Sequence, residues 1–223
     1  MNHLGTTQLL LVTGSLSYFS LHSMLASVRA KRFVAHRFPR LMPAYRLFFN
    51  ALAVILLLPL LWLILQDPGP LLWAWQGPWK WLMTSISYLA LIGLLWSTRS
   101  YDMSVFLGLR QWRERRRQTG DPETLHITPL HRFVRHPWYF LGLLMLWSRD
   151  QYLNQTLFYA LATAYLVVGS RLEEHKLVHQ YGDAYRLYRH RVPGLIPLPW
   201  RWLKQPDAER LTRLAREQDS SLR

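Results

Sequence analysis

Most apolar residues of this 223-residue chain lie in four long stretches, and this separation from the charged residues limits the possible folds. The stretches cover residues 5–28, 46–66, 81–98 and 137–172. A helix needs about 20 predominantly apolar residues to cross a bilayer, so each of the first three predicts one transmembrane helix. The fourth is interrupted at residues 148–151 and predicts a hairpin of two spans, 137–151 and 152–172. The sequence therefore predicts an all-α, polytopic membrane helical bundle of about five transmembrane helices.

The first apolar stretch is expected to stay in the protein rather than to act as a cleaved signal peptide. Residues 1–7 contain no Lys or Arg, and no small-residue cleavage site follows the apolar run. A secretory signal normally has a basic N-terminal region and a small-residue cleavage site after its apolar run.

The basic residues predict the orientation of the spans. The chain has a formal net charge of +14. Loop 29–46 contains six Lys or Arg residues and no acid, loop 99–135 contains eight Arg residues, and the region after Arg171 is also basic. The intervening loops hold only Lys80 and Arg149. Because basic loops remain in the cytoplasm, we expect the N-terminus outside and the C-terminus in the cytoplasm.

One basic stretch, WRERRRQ at residues 112–118, resembles a nucleic-acid-binding patch. Its position beside a span instead favours a topological anchor that also contacts anionic lipid, so we expect membrane lipids and no nucleic acid as partners. The chain contains no cysteine, which excludes disulfides and thiolate metal sites. No metal site is predicted.

Polar residues stand directly at the entrance of the fourth apolar stretch. Arg135 and His136 precede Pro137, and proline suits the first turn of a helix. The partner helix ends in RLEEHK, which brings Glu173 and Glu174 back to the same side of the membrane. Taken singly, such residues usually contact lipid headgroups or water. Together, an arginine, a histidine and two carboxylates beside aromatic residues complement a zwitterionic, aromatic ligand. S-adenosylmethionine is such a ligand, with a carboxylate, an ammonium group, ribose hydroxyls, a sulfonium cation and an aromatic ring.

The residues that follow predict a structured cytoplasmic cover, residues 173–204. Leu177, Tyr181, Tyr185 and Tyr188 recur at spacings of four, four and three, which defines one helical face. Gly182 suits a helix C-cap and Asp183 the N-cap of a second short helix. We expect the aromatic face to fold back over the hairpin. Residues 1–204 would form the membrane domain, and the polar tail 205–223 would be frayed or lie on the surface.

Two motifs resemble known membrane methyltransferases. RHPWYFLG is similar to the Arg-His-Pro-x-Tyr-x-Gly signature of integral-membrane enzymes of the isoprenylcysteine carboxyl methyltransferase type, and EEHKLVHQYGDAYRLYRHRVPGLIP is similar to their C-terminal block. Within that superfamily the chain most resembles bacterial methanethiol S-methyltransferases, through LHSMLA and SYDMSVFLGLRQW. The resemblance covers roughly residues 20–200. The chain departs from the family pattern in two ways. Asp102 lies about a helical turn further from Gly-Leu-Arg-Gln than the family's aspartate does, and the chain lacks one early span.

The resemblance implies a site for S-adenosylmethionine and a location in the bacterial inner membrane. The implied cofactor-binding residues are Arg135, His136, Tyr139, Gly142, Glu173, Glu174, Tyr185 and Tyr188, of which the last two would close the site from the cytoplasm. Catalytic candidates, as cations or bases near an acceptor thiol, are His22, Arg110 and Arg171. A helix–helix hydrogen bond is the alternative role for His22. Asp102 is expected to form an ion pair with Arg99 or Arg110 rather than to act as a base.

Several functions remain open from the sequence. The acceptor is expected to be a small thiol or a lipophilic molecule that enters from the bilayer, and the oligomeric state is not predicted. Within the enzyme class, carboxyl methylation of a prenylated cysteine and N-methylation of a phospholipid headgroup are alternatives. An accessory membrane scaffold is the non-enzyme alternative. A membrane reductase is disfavoured by the small size and the absence of a nucleotide fingerprint.

Overall fold

A computed structural model describes residues 3–115 and 125–221, in two compact units. Of the described residues, the first unit contains 3–80, 101–115 and 149–162, and the second contains 81–100, 125–148 and 163–221. The basic stretch 112–118 is therefore described only as far as residue 115. The helices are α1 His3–Ala26, α2 Val28–Arg37, α3 Tyr45–Gln66, α4 Gly77–Ser97, α5 Met103–Leu107, α6 Leu109–Arg113, α7 Pro137–Trp147, α8 Leu153–Arg191 and α9 Gln205–Ser221. Short 3₁₀ turns lie at Met42–Ala44, Thr98–Ser100 and Leu130–Arg132, and the strands are β1 Leu71–Trp73 and β2 Gln151–Tyr152.

Three helical segments are long and apolar enough to cross a membrane: Gly5–Ala26, Met42–Gln66 and Gly77–Ser100. Their large apolar side chains, such as Leu65 and Trp81, are mostly exposed. Exposed apolar side chains along helices of this length are suited to lipid rather than to water. The chain is a membrane protein with a predominantly helical fold, as the sequence predicts.

The first helix of the fourth apolar stretch is shorter than its predicted span, 137–151. Helix α7 ends at Trp147, where the N–H of Ser148 donates to the carbonyl of Leu144, and does not continue to residue 151. Gln151 pairs instead with β1, and the Asp150 carboxylate accepts the backbone N–H of Trp75. Because the backbone of Gln151 is paired with β1, it cannot make the hydrogen bonds of a longer α7. The 11 residues of α7 rise about 16 Å, roughly half of the hydrocarbon core.

In the first unit, α1 and α3 pack closely. Leu11, Leu60, Ile64 and Phe158 form a buried apolar cluster. A Cβ added at Gly14 would lie 2.9 Å from Cδ2 of Leu60, so the absence of a side chain at Gly14 is what permits this approach.

In the second unit, two side-chain hydrogen bonds fix α7 against its neighbours. Nε1 of Trp138, near the start of α7, donates to Oγ of Ser97 at the end of α4 (2.8 Å). Nε1 of Trp147, the last residue of α7, donates to Oγ1 of Thr163 on α8 (3.0 Å). Both ends of α7 are therefore held in place, which positions the residues that precede it.

The predicted aromatic face is the core of the second unit. Helix α8 breaks at Gly182, whose φ of +49° and ψ of −127° are not helical. This confirms the predicted break. On both sides of it the tyrosines are buried in a cluster with residues of the last helix: Leu125, Tyr181, Ala184, Tyr185, Tyr188, Val192, Leu203, Leu211 and Ala215.

The C-terminal tail is helical over most of its length. Residues 205–221 form α9, and Ala208, Leu211 and Ala215 on this helix are buried. Of the two alternatives, a frayed tail or one that lies on the surface, the helix agrees with the second. These apolar residues recur every three or four positions and form one face, a pattern that the many charged residues between them obscure in the sequence.

Candidate functional site

The backbone before α7 is paired with the end of the cover. The N–H of Arg135 donates to the carbonyl of Pro193 (2.9 Å), and the N–H of His136 donates to the carbonyl of Gly194 (3.1 Å). Pro137 then begins the helix. Two segments almost 60 residues apart in sequence thus run side by side, and the side chains of Arg135 and His136 are directed by this pairing.

Arg135 makes several contacts within the protein. Its Nε and Nη2 lie 2.8 and 2.7 Å from Oε1 of Glu174. Its Nη1 donates to the carbonyls of Arg189 (2.9 Å) and Val192. The side chains of Arg135 and Glu174 are each only 11% exposed. Arg135 therefore ties the start of α7 to both the middle and the end of α8.

His136 connects the two glutamates with an aromatic ring. Its Nε2 lies 3.1 Å from Oε1 of Glu174, and its Nδ1 lies 3.6 Å from Oε2 of Glu173. The imidazole stacks on the ring of Tyr139, with 5.2 Å between centroids and an interplanar angle of 10°. The hydroxyl of Tyr139 lies 3.5 Å from Oε2 of Glu173 and donates to it. We call Arg135, His136, Tyr139, Glu173 and Glu174 the entrance cluster.

The charge of Glu174 is stabilised by its partners. Burial alone would raise the pKa of this carboxyl, but hydrogen bonds from His136 and Arg135, together with their positive charge, outweigh burial and hold the pKa below its ordinary value. Glu174 is therefore ionised at neutral pH. Arg135 and Glu174 form a partly buried ion pair whose remaining donors are also used.

The entrance cluster keeps free acceptor atoms. Within the described residues, Arg135 and His136 both contact Oε1 of Glu174, and Oε2 accepts no hydrogen bond. The Glu173 side chain is 50% exposed. One turn along α7, a Cβ added at Gly142 would meet no atom within 4 Å. Two carboxylates with free oxygens, a stacked aromatic pair and open space at a glycine suit the hydroxyl, ammonium and ring groups of a nucleoside ligand.

Arg135 is among the implied cofactor-binding residues, and this role stays a prediction. In the structure, its Nε and both Nη atoms are already engaged by Glu174, Arg189 and Val192. Motif spacing could not show this, because the two carbonyls belong to a segment whose path depends on the break at Gly182.

Tyr185 and Tyr188 lie inside the cover. They are 1% and 2% exposed, and the hydroxyl of Tyr188 donates to the carbonyl of His131 (2.7 Å). Burial raises the pKa of Tyr185, and the charge of Glu174 raises it further. Both tyrosines therefore belong to the buried core of the second unit, and the prediction that they close over a ligand stays a prediction.

The acceptor-side candidates are not part of the entrance cluster. In the first unit, His22 packs on the ring of Phe49, with 4.8 Å between centroids. Arg110 there pairs with Asp102 (3.2 Å) and Glu114 (2.8 Å), so Asp102 forms one of the two ion pairs that the sequence predicts. Asp102 also caps α5.

Arg171 lies in the second unit, exposed on α8. Among the described residues, its side chain makes no ion pair with the entrance cluster.

The segment from Val192 to Gly194 contacts the entrance cluster, although no residue of this segment is among the site residues that the sequence predicts. A Cβ added at Gly194 would lie 3.2 Å from Nη2 of Arg135. In the sequence this segment is visible only as a Val-Pro-Gly run after α8. Its carbonyls align Arg135 and His136.

Sequence comparison identifies the family of the chain. A protein of Bradyrhizobium diazoefficiens named methanethiol S-methyltransferase 2 is 33% identical over 178 residues, which cover 79% of this chain and 68% of the relative. The chain belongs to the methanethiol S-methyltransferase family. Membership of the methanethiol S-methyltransferase family makes it a methyltransferase, an enzyme that requires a methyl donor.

Further members of the methanethiol S-methyltransferase family are similar over comparable lengths. A methanethiol S-methyltransferase from a Pseudomonas species is 28% identical over 179 residues, covering 79% of this chain and 68% of the relative. One from Crocosphaera subtropica is 29% identical over 208 residues, covering 86% of this chain and 75% of the relative. No family model matches the chain, and no solved structure matches it.

Proposed function

We propose that the chain is an integral-membrane methyltransferase that uses S-adenosylmethionine to methylate a small thiol, with methanethiol as the acceptor. The family supports the reaction and the acceptor, since the relatives are named methanethiol S-methyltransferases. The entrance cluster supports S-adenosylmethionine as the methyl donor. The observation that carries this part of the proposal is the free oxygen of Glu174 beside the half-exposed Glu173. Carboxylates of this kind accept hydrogen bonds from ribose hydroxyls and from an ammonium group.

The residues present fit such a cofactor. Glu174 and Glu173 would hold its hydroxyl and ammonium groups, and the stacked rings of His136 and Tyr139 would contact its base or its sulfonium charge. The space beside Gly142 would admit its body. Arg135 contributes indirectly, because it fixes the position of Glu174. When bound, the cofactor supplies an electrophilic methyl group on a sulfonium.

Methyl transfer from a sulfonium requires alignment of donor and acceptor and no covalent enzyme intermediate. Transfer of this methyl group to an acceptor thiolate would form one carbon–sulfur bond and break another, and would leave two uncharged thioether sulfurs. Because charge is lost in this step, the protein mainly has to align the reactants and exclude water. A free thiol has a pKa near 8.5, so a nearby cation would raise the thiolate fraction. His22, Arg110 and Arg171 are the candidates for this role.

The proposed topology has five membrane passes, with the N-terminus outside and the C-terminus in the cytoplasm of the bacterial inner membrane. The distribution of Lys and Arg supports the orientation. Helices α7 and α8 would form the last hairpin, in which the short α7 begins at the entrance cluster. The polar donor would reach the cluster from the cytosol, and the apolar acceptor would arrive through the bilayer.

The acceptor is tested with purified protein in detergent and S-adenosylmethionine labelled in the methyl group. We expect transfer of label to methanethiol, and little transfer to a farnesylcysteine analogue. The variant Asp183→Asn, which removes an exposed carboxylate of α8 that pairs with Arg186, should transfer label like the unaltered protein. Labelling of the farnesylcysteine analogue alone would overturn the thiol assignment, and no transfer to any acceptor despite donor binding would favour a scaffold.

A further inference from the structure

A cavity in the second unit is lined by residues that do not belong to the entrance cluster. It has a volume of about 440 Å³ and is bounded by α9 and by the segment that leads into the 3₁₀ turn Leu130–Arg132. This volume is within the range of ligand sites. The polar residues that line it include His126, Arg132, Glu209, Thr212, Arg213 and Arg216.

Arg132 is held rigidly in the wall of this cavity. Its Nε donates to the carbonyl of Leu203, and its own carbonyl accepts the N–H of Leu203, both at 2.9 Å. Its guanidinium also lies over the ring of Phe133, 5.9 Å from the centroid. Within the described part of the chain, its two Nη groups make no further hydrogen bond. A guanidinium fixed through Nε with both Nη groups open is preorganised to bind an oxyanion.

The cavity carries excess positive charge. Arg213 and Arg216 are one helical turn apart on α9, and neither has an ion pair or hydrogen bond in the described ranges 3–115 and 125–221. Glu209 is the acid among the residues that line the cavity, and its Oε1 is occupied by Nε2 of Gln205 (3.1 Å). Three arginines against one carboxylate favour a ligand with one or two negative charges.

An exposed aromatic pair adjoins the arginines. Phe133 and Trp202 stack with 6.0 Å between centroids and an interplanar angle of 17°, yet they are 46% and 44% exposed. Phe133 directly follows Arg132, and Trp202 directly precedes Leu203. Exposed aromatic side chains in a membrane protein are typical of the headgroup layer of a bilayer.

We propose that this cavity binds the phosphate of an anionic phospholipid headgroup, with Arg132, Arg213 and Arg216 as its donors. Phosphate suits the arginines, and the neighbouring aromatic pair suits the apolar remainder of a lipid better than a soluble phosphate compound. The site is separate from the methyl-transfer site, since it shares no residue with the entrance cluster. Binding there would anchor α9, and with it the cover that packs against α9, to the membrane surface.

The experiment titrates the full chain, purified in a neutral detergent, with water-soluble dihexanoyl phosphatidylglycerol and follows binding by tryptophan fluorescence. We expect saturable binding that weakens at least about tenfold in the double variant Arg213→Gln, Arg216→Gln, since two charge-assisted contacts are lost. The control, Lys176→Gln with Arg186→Gln, removes the same charge from exposed positions of α8 and should bind like the unaltered protein. Dihexanoyl phosphatidylcholine should bind weakly.

Three outcomes would overturn the proposal. One is equal binding by the Arg213 and Arg216 double variant, and another is equal binding of phosphatidylcholine. The third is binding of glycerol 3-phosphate as tightly as of phosphatidylglycerol, which would indicate a soluble phosphate ligand. Calorimetry with S-adenosylhomocysteine on the same double variant separates the two sites, because cofactor binding should be unchanged whether or not the lipid binds.

Discussion

Nη2 of Arg135 lies 2.7 Å from Oε1 of Glu174, across 39 residues of sequence. The same oxygen is 3.1 Å from Nε2 of His136, so one carboxylate oxygen holds both basic residues that precede α7. The other oxygen of Glu174 is left for a ligand. The pair therefore joins the folding of the cover to the assembly of the candidate cofactor site.

Replacing Glu174 by glutamine should destabilise the protein. Glutamine keeps the shape of the side chain but replaces the charge-assisted bonds to Arg135 and His136 by neutral ones, which we expect to cost about 2 kcal/mol. Thermal unfolding in detergent measures this. Asp183→Asn on the same helix removes an exposed charge and should change the stability by less than about 0.5 kcal/mol. Equal stability of the two variants would show that the Arg135–Glu174 pair does not hold the cover.

Two glycines on neighbouring helices allow a matched test of ligand space. A Cβ at Gly142 or at Gly169 meets no atom within 4 Å, so Gly→Ala at either position should preserve or slightly raise helix stability. If the cofactor occupies the space beside Gly142, only Gly142→Ala should weaken binding of S-adenosylhomocysteine, by about tenfold. Calorimetry with both variants checks this, and identical affinities would remove Gly142 from the site.

The hydroxyl of Tyr188 should contribute to stability rather than to catalysis. It donates to the carbonyl of His131 (2.7 Å) and is almost fully buried. Tyr188→Phe removes the donor and leaves that carbonyl unpaired, at a cost of about 1 to 2 kcal/mol. Thermal unfolding should show this loss while kcat changes little in a methyl-transfer assay. A large loss of kcat with unchanged stability would instead place the hydroxyl at the reaction site.

His131 predicts a loss of stability on acidification. Burial, with smaller effects from the charges of His136 and His126, lowers the pKa of His131 to about 4. The unfolded chain therefore binds a proton between pH 6.5 and about 4 that the folded protein excludes. The stabilisation is complete above pH 6.5 and decreases as the pH falls, by about 2 kcal/mol at pH 5.

Unfolding measured between pH 5 and 8 checks this prediction about His131. His131→Asn keeps a polar group beside Thr128, whose Oγ1 lies 2.7 Å from Nδ1 of the histidine, but does not titrate. Its stability should depend less on pH over this interval. An unchanged pH dependence in this variant would assign the effect to other groups.

Part of this architecture follows from local sequence patterns. Runs of apolar residues predict α1, α3 and α4 because a bilayer imposes a minimum length. The entrance residues and the two glutamates were predicted to converge because a hairpin returns its end to the side where it starts, and the contacts of Arg135 and His136 with Glu174 confirm this.

Long-range contacts account for what the sequence did not predict. Helix α7 stops at Trp147 because Gln151 pairs with β1, 78 to 80 positions earlier in the chain. Arg135 is engaged by the carbonyls of Arg189 and Val192, whose location depends on the break at Gly182. No local periodicity contains this information.

Titration calorimetry of the purified protein with S-adenosylhomocysteine tests the central claim most directly, when the unaltered protein is compared with Glu173→Gln and Asp183→Asn. Glu173 is half-exposed and makes only long contacts with His136 and Tyr139, so its replacement should leave the melting temperature unchanged. The account predicts binding by the unaltered protein and by Asp183→Asn, and affinity at least about tenfold lower for Glu173→Gln. No binding by the unaltered protein, or full affinity in Glu173→Gln, would contradict it.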